Sequence, residues 1–258
     1  MTWPVFTEEA IIRFLLVLAR ATAFFSVFPV FGGGGVPVRI KAAAGAVLAL
    51  FLFGTVGPLA DLPTHALGLA LLIIKEVVLG ILLGSLVNFV FMGAQFAGQS
   101  IGVQMGLAIA SIFDPGTGEQ VSVSGRFYYL VAILLFLGTD LHHPFLAGFG
   151  RSFELLPIGS GSFAVAGFQH WAELSGKVLL LAVRMSLPVI GALLLVDLAL
   201  GFLSRLVPQM NIFLVGFPLK IGLGLAALAL SMGVGARVLS SAIDSLVVDF
   251  HSLMSWMR

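Results

Sequence analysis

A chain of 258 residues with 59% hydrophobic and only 10% charged residues carries more apolar surface than a water-soluble domain of this size can hide. Mean hydropathy is +1.13, and a formal net charge of +1 offers no basic field to attract nucleic acid. Cysteine is absent, which removes disulfides, iron–sulfur clusters and thiol chemistry.

Thr7 followed by Glu8 and Glu9 reads as a helix start. The hydroxyl can cap free N–H groups, and the carboxylates favour the positive end of the helix dipole. No basic segment precedes the first apolar run, and Arg13 and Arg20 interrupt it, so a cleavable signal is not expected here. Apolar runs cover 11–31, 43–60, 66–113, 127–138, 178–203 and 212–234. A membrane-crossing helix needs about 20 residues, so 127–138 is short for a span. The stretch GGGGVPVRIK (32–41) reads as a hinge followed by Arg39 and Lys41.

The run 66–113 carries only the adjacent charges Lys75 and Glu76. As one helix it would reach about 70 Å, more than twice the hydrocarbon core. A division near Asn88–Gly93 is therefore predicted. DPGTGEQVSVSGR (114–126) is a polar turn region, and 139–177 is a mixed stretch holding Asp140, His142, His143, Arg151, Glu154, His170, Glu173 and Lys177. Pro188 and Pro218 fall inside apolar runs and should kink them. Over 238–258, Leu239, Ile243, Leu246, Phe250, Leu253 and Met257 recur at helical spacing opposite Ser241, Asp244, Ser245, Asp249 and Ser252. This is an amphipathic helix. Its polar face is acidic, which points its apolar face toward a partner protein rather than anionic lipid. The fold expected is all-α and membrane-associated, in one domain over 1–258.

Ala94, Gly98, Gly102, Gly106 and Ala110 are each four residues apart. On a helix they form one small-residue stripe, the device by which membrane helices approach closely. Gln95, Gln99 and Gln104 lie on the same helix. Amides are costly against lipid, so burial in protein or a wet lumen is expected. Arg20, Lys75, Glu76, Arg184, Asp197 and Lys220 are charges inside apolar runs. They fit a proton or ion pathway, or polar contacts in a multi-chain channel, or snorkelling and structural ion pairs. Their scatter, with no cluster on one helical face, favours structural and interface roles. Gly98-Gln99-Ser100-Ile101-Gly102 matches the form of a nucleophile elbow, but that motif needs a strand–turn–helix context. Asp140, His142 and His143 are metal ligands by type. Adjacent histidines on a helix point apart, so no metal or other cofactor is expected.

The stretch GVQMGLAIASIFDPGTGEQ (102–120) resembles a segment of the FliR family of flagellar export-gate proteins and of their injectisome relatives. In order, DLHHPFLAGFGRSFELLPIG (140–159) and PQMNIFLVGFPLKIGLGL (208–225) are similar to later family segments. Arg20, Pro29, the glycine run, Pro37 and Arg39 follow its early pattern. Asp140-Leu141 departs from the family's acidic-Gly pair, and Ile158 separates Pro157 from Gly159.

The resemblance implies a superhelical array of helical hairpins rather than a simple six-helix transmembrane bundle, with much of it above the bilayer plane in the assembled gate. It implies a non-enzymatic subunit of the central export channel, with FliP-like, FliQ-like and FlhB-like subunits, membrane lipid and unfolded export substrates as partners. It places a channel plug at 106–121. There Met105, Gly106, Ile112, Phe113, Asp114, Pro115 and Gly116 combine an apolar tip with a turn that disfavours helix continuation. An ordinary interhelical loop is the other reading of that segment. An independent ion-coupled transporter and a membrane hydrolase using Ser100 are the competing functions.

Overall fold

In a computed structural model, residues 7–32, 36–59, 65–107, 122–159, 165–209 and 211–257 are described. They form helices α1 (Glu8–Val27), α2 (Pro29–Gly32), α3 (Val38–Phe53), α4 (Ala66–Gln104), α5 (Val123–Gly138), α6 (His142–Leu155), α7 (Val165–Leu206) and α8 (Ile212–Met257). Among the described residues there is no strand. α1 starts as expected: Thr7 Oγ1 accepts the Ala10 N–H at 3.3 Å, with Glu8 and Glu9 in the first turn.

Four helices, Glu8–Val27, Ala66–Gln104, Ala166–Leu206 and Leu214–Met257, are long and apolar enough to cross a membrane. The runs 127–138, 178–203 and 212–234 lengthen into the longer elements α5, α7 and α8. α3 and α5 have 16 residues each, short of a full span.

The predicted division near Asn88–Gly93 does not occur in the secondary structure: α4 is one helix of 39 residues, about 58 Å long. A glycine inside a helix costs only about 1 kcal/mol. Breaking the helix in apolar surroundings strips several backbone groups of partners at a few kcal/mol each, so continuity wins. The helices α7 and α8 run through Pro188 and Pro218 for the same reason. The amphipathic segment is likewise not separate, since 238–257 continues α8. Leu239, Ile243, Leu246, Phe250, Leu253 and Met257 are all buried within this chain. Their stripe is core, which corrects the expectation of a partner-facing surface.

The chain divides into two compact units. One holds residues 1–89, 140–175 and 244–258; the other holds 90–139 and 176–243. In the first unit α1 and α3 pack together, with Gly45 against Thr22. Gly80 and Gly84 of α4 meet the α1 backbone, where a Cβ on Gly84 would lie 2.7 Å from the Phe24 carbonyl oxygen. Phe24 stacks on Phe149 at 4.5 Å between centroids, and Phe145 meets Phe250 edge-on at 5.5 Å.

The centre of this unit is charged. Arg20 is fully buried and pairs with Glu76, Nε to Oε2, at 2.5 Å. Its remaining N–H groups donate to the Ser152 carbonyl at 3.3 Å and the Leu156 carbonyl at 3.0 Å. The guanidinium also lies 4.3 Å above the Phe153 ring. One residue thereby ties α1 to α4 and α6.

In the second unit the small-residue stripe meets this chain's own α5. Gly98 sits against the Ser124 carbonyl, which leaves room for the Ser124 hydroxyl to donate to the Gly98 carbonyl at 2.7 Å. Gly102 sits against the Ser122 and Ser124 side chains, and Gly93 against Val178 and Leu181 of α7. Ala94 is fully buried.

Replacing Glu76 with alanine strands a buried guanidinium and is expected to cost about 3–5 kcal/mol. Thermal unfolding of the detergent-solubilised chain, followed by circular dichroism at the helical band, checks this. A midpoint equal to the parent's is incompatible with the buried pair.

Candidate functional site

Three of the polar residues singled out in the sequence converge at the end of α4. The Asp197 carboxylate of α7 binds the Lys220 ammonium of α8 through Oδ1. Its Oδ2 accepts the Gln104 amide N–H at 3.0 Å. An aspartate in the run LLLVDLALG and a lysine in GFPLKIG have little water to turn to, so each takes the other as partner. The pair is not sealed: Asp197 is 34% exposed and Lys220 21%. A cavity of about 290 Å³ opens beside it, lined by Leu200, Gly201, Ser204, Gly216 and Phe217 as well as the two charges.

Directly after Gln104 the helix stops. The Gly106 N–H donates to Val103 and the Leu107 N–H to Gly102, each at 3.0 Å, while Gly106 has φ +84°. This is a Schellman cap, which needs a residue without a Cβ at its left-handed position. Gly106 therefore leaves the helical stripe in which the sequence placed it. The four-residue spacing continued past the helix end by coincidence of the cap. A Cβ there would also lie 2.7 Å from the Phe217 ring. Met105 is fully buried and fills the space over Gly224. The end of α4 is thus held on α7 by the Gln104 bond to the ion pair, and on α8 by Met105 over Gly224 and Gly106 against Phe217, with the glycine cap closing the helix itself.

The remaining predicted residues distribute differently. Arg20 and Glu76 form the core pair described above, with Lys75 half-buried beside them in sequence. Gln95 is half-buried near Gly125, whereas Gln99 is exposed. Arg184 is exposed, not buried, because its position on α7 faces away from the packed side of its unit. Ser100 donates to the Phe96 carbonyl at 2.9 Å from the middle of α4. That helical setting removes the nucleophile-elbow reading. Ala110, Ile112, Phe113, Asp114, Pro115 and Gly116 lie outside the described residues.

Asp140, His142 and His143 come together, against expectation. Their ligand atoms all lie within 4.8 Å of one another. The reason is local: His142 opens α6 rather than lying inside it, and Asp140 just before takes φ 55°. Sequence reasoning missed Ser152 and the Leu156 carbonyl as ligands of Arg20, Phe217 as the neighbour of Gly106 and Gly224 as the seat of Met105. The stretch GFPLKIGLG (216–224) contains the last two, but its spacing gives no pointer to Met105 or Gly106.

The class these features define is a membrane-associated, all-helical protein whose charges serve packing. The family description "Bacterial export proteins, family 1" matches residues 11–246. "Flagellar biosynthetic protein FliR" of Bacillus subtilis (strain 168) is 35% identical over 94% of both chains. Its counterpart of Escherichia coli (strain K12) is 32% identical over 91% of both. "Yop proteins translocation protein T" of Yersinia pestis is 28% identical over 83% of both. The chain belongs to the bacterial export proteins, family 1. It is a component of a type III export apparatus, and a structural component rather than an enzyme.

Substituting Gly106 with alanine forces a side chain into a left-handed position at about 1–2 kcal/mol. Asp197→Ala removes both the Lys220 and Gln104 contacts at roughly 1 kcal/mol, modest because the pair is partly exposed. Both are expected to speed amide hydrogen exchange at 101–107 severalfold, with exchange around Arg20 unchanged. Equal exchange at 101–107 in parent and variants excludes the anchor.

Proposed function

We propose that this chain is a structural and gating subunit of a flagellar type III export gate in the bacterial inner membrane, assembled with FliP-like and FliQ-like subunits and contacted by an FlhB-like one. On this reading unfolded export substrates pass through the central channel, and the 106–121 segment closes it in the resting state. The similarity that spans 94% of this chain and of a flagellar biosynthetic relative carries the reading. The Bacillus and Escherichia flagellar relatives, at 35% and 32%, are more similar than the Yersinia translocation protein at 28%, which favours a flagellum over an injectisome.

The fold supports assembly with other chains. Many large apolar side chains face outward, among them Phe51 at 78% and Leu230 at 86% exposure. Surface of that kind requires lipid or protein cover. It equally supports a superhelical array of hairpins covered by neighbours. The anchored root at Met105 and Gly106 supports the gating role, because a plug needs one fixed end from which to act.

Native mass spectrometry of the tagged chain, extracted from its own host in mild detergent, tests the assembly. The expected mass contains FliP-like and FliQ-like chains. A lone monomer or homodimer that moves solute in liposomes overturns the reading in favour of an ion-coupled transporter. For the plug, replacing Ile112 and Phe113 with serine is expected to make membranes carrying the assembled gate leaky to ions. Conductance identical to the parent's removes the 106–121 plug while leaving the assembly standing.

A further inference from the structure

We propose that Asp140, His142 and His143 form a binding site for a divalent transition-metal ion of the zinc type at the start of α6. Three donor side chains occur within four consecutive residues, and their ligand atoms all lie within 4.8 Å of one another. In a regular helix two adjacent histidines diverge by about 100°. Here their ring centroids are 4.1 Å apart with an interplanar angle of 37°. The left-handed backbone at Asp140, φ 55°, is uncommon for a residue with a side chain. It turns the chain so that the carboxylate joins the imidazoles instead of leading away from them.

The donor set suits the ion. Two imidazoles and one carboxylate are ligands for zinc and its neighbours, whereas magnesium and calcium favour all-oxygen shells. The His143 Nδ1 lies 3.3 Å from the Asp140 carbonyl oxygen. In the tautomer that donates this bond, the other ring nitrogen keeps its lone pair. An orienting bond of this kind to a carbonyl is the usual companion of a metal-bound imidazole. Tetrahedral zinc sets its ligands roughly 3.3 Å apart, so side-chain rotations that bring the ligand atoms up to about 1.5 Å closer together close the site. Asp140 and His143 are exposed and His142 is half-buried, which gives an ion access and leaves room for water as a fourth ligand. The positive end of α6 opposes a cation only weakly. One carboxylate and two nitrogen ligands outweigh that opposition. The site would clasp the turn at Asp140 to the first turn of α6.

The test is zinc chloride added to the full-length chain, purified in detergent with a tag free of histidine, in competition with a chromophoric chelator. One zinc per chain is expected, with micromolar or tighter affinity. His142→Ala and His143→Ala should each weaken it at least tenfold and Asp140→Asn severalfold, while His170→Ala and His251→Ala leave it unchanged. Cobalt in place of zinc should give the intense visible bands of a tetrahedral site, lost in the His142→Ala/His143→Ala variant. Helical circular dichroism and the gel-filtration profile establish that each variant is folded. Absence of stoichiometric uptake by the parent, or uptake undiminished in the folded double variant, overturns the proposal and leaves His143 as a helix-start contact to the Asp140 carbonyl, with His142 packed against its ring.

Discussion

Arg20 sets the terms for its unit of the chain. A guanidinium with no exposure has five N–H donors to satisfy and a charge to neutralise. It finds them on Glu76 of α4 and on the Ser152 and Leu156 carbonyls around the end of α6. Apolar side chains alone do not choose neighbours in an apolar medium, because lipid is as good a partner as leucine. A buried charge does choose, since any other register leaves it unpaired at several kcal/mol. The glycines at 80 and 84 then let α4 come close enough to the α1 backbone for Glu76 to reach. Polar contact fixes which helices meet, small residues fix how closely, and phenylalanine packing fills what is left.

The all-helical class was legible from hydropathy, and so was the helix start at Thr7, where one hydroxyl and two carboxylates act within a single turn. The small-residue stripe was legible as a packing face, because spacing on a helix is a local property. Its partner was not, since nothing about Gly98 names Ser124. The division of the 66–113 run was misplaced because it assumed that a helix ends where a bilayer does. The backbone obeys hydrogen bonding first, and α4 continues until Gly106 makes a left-handed cap available. The same glycine read as one more rung of the stripe, since a linear pattern does not register where φ changes sign. The C-terminal stripe was read correctly as apolar and wrongly as outward-facing. Amphipathicity reports that a face will be covered and not by what.

Ion pairs were harder to read than faces. Arg20 and Glu76 are 56 residues apart and Gln104 and Asp197 are 93 apart, so no local rule connects them. The scattered look of the charges along the sequence concealed two compact clusters. Scatter in sequence is weak evidence of scatter in space when the helices are about 60 Å long.

The two clusters differ in a way that bears on the proposed gating role. The Arg20–Glu76 pair is sealed, and opening it exposes two charges to surroundings that cannot solvate them. The Asp197–Lys220 pair borders a cavity and is partly exposed, so water can take over when it opens. An element that must move is drawn from the weaker contacts of a fold. Under that proposal, the sealed pair serves as a permanent joint and the partly exposed one as a releasable joint. The releasable one stands at Gln104, one residue before Met105 and two before the cap from which the proposed plug departs. A fixed joint in that position would hold the root of the segment too firmly to respond to a passing chain. No joint at all would leave a plug without a seat. A half-exposed carboxylate shared between a lysine and an amide lies between those limits.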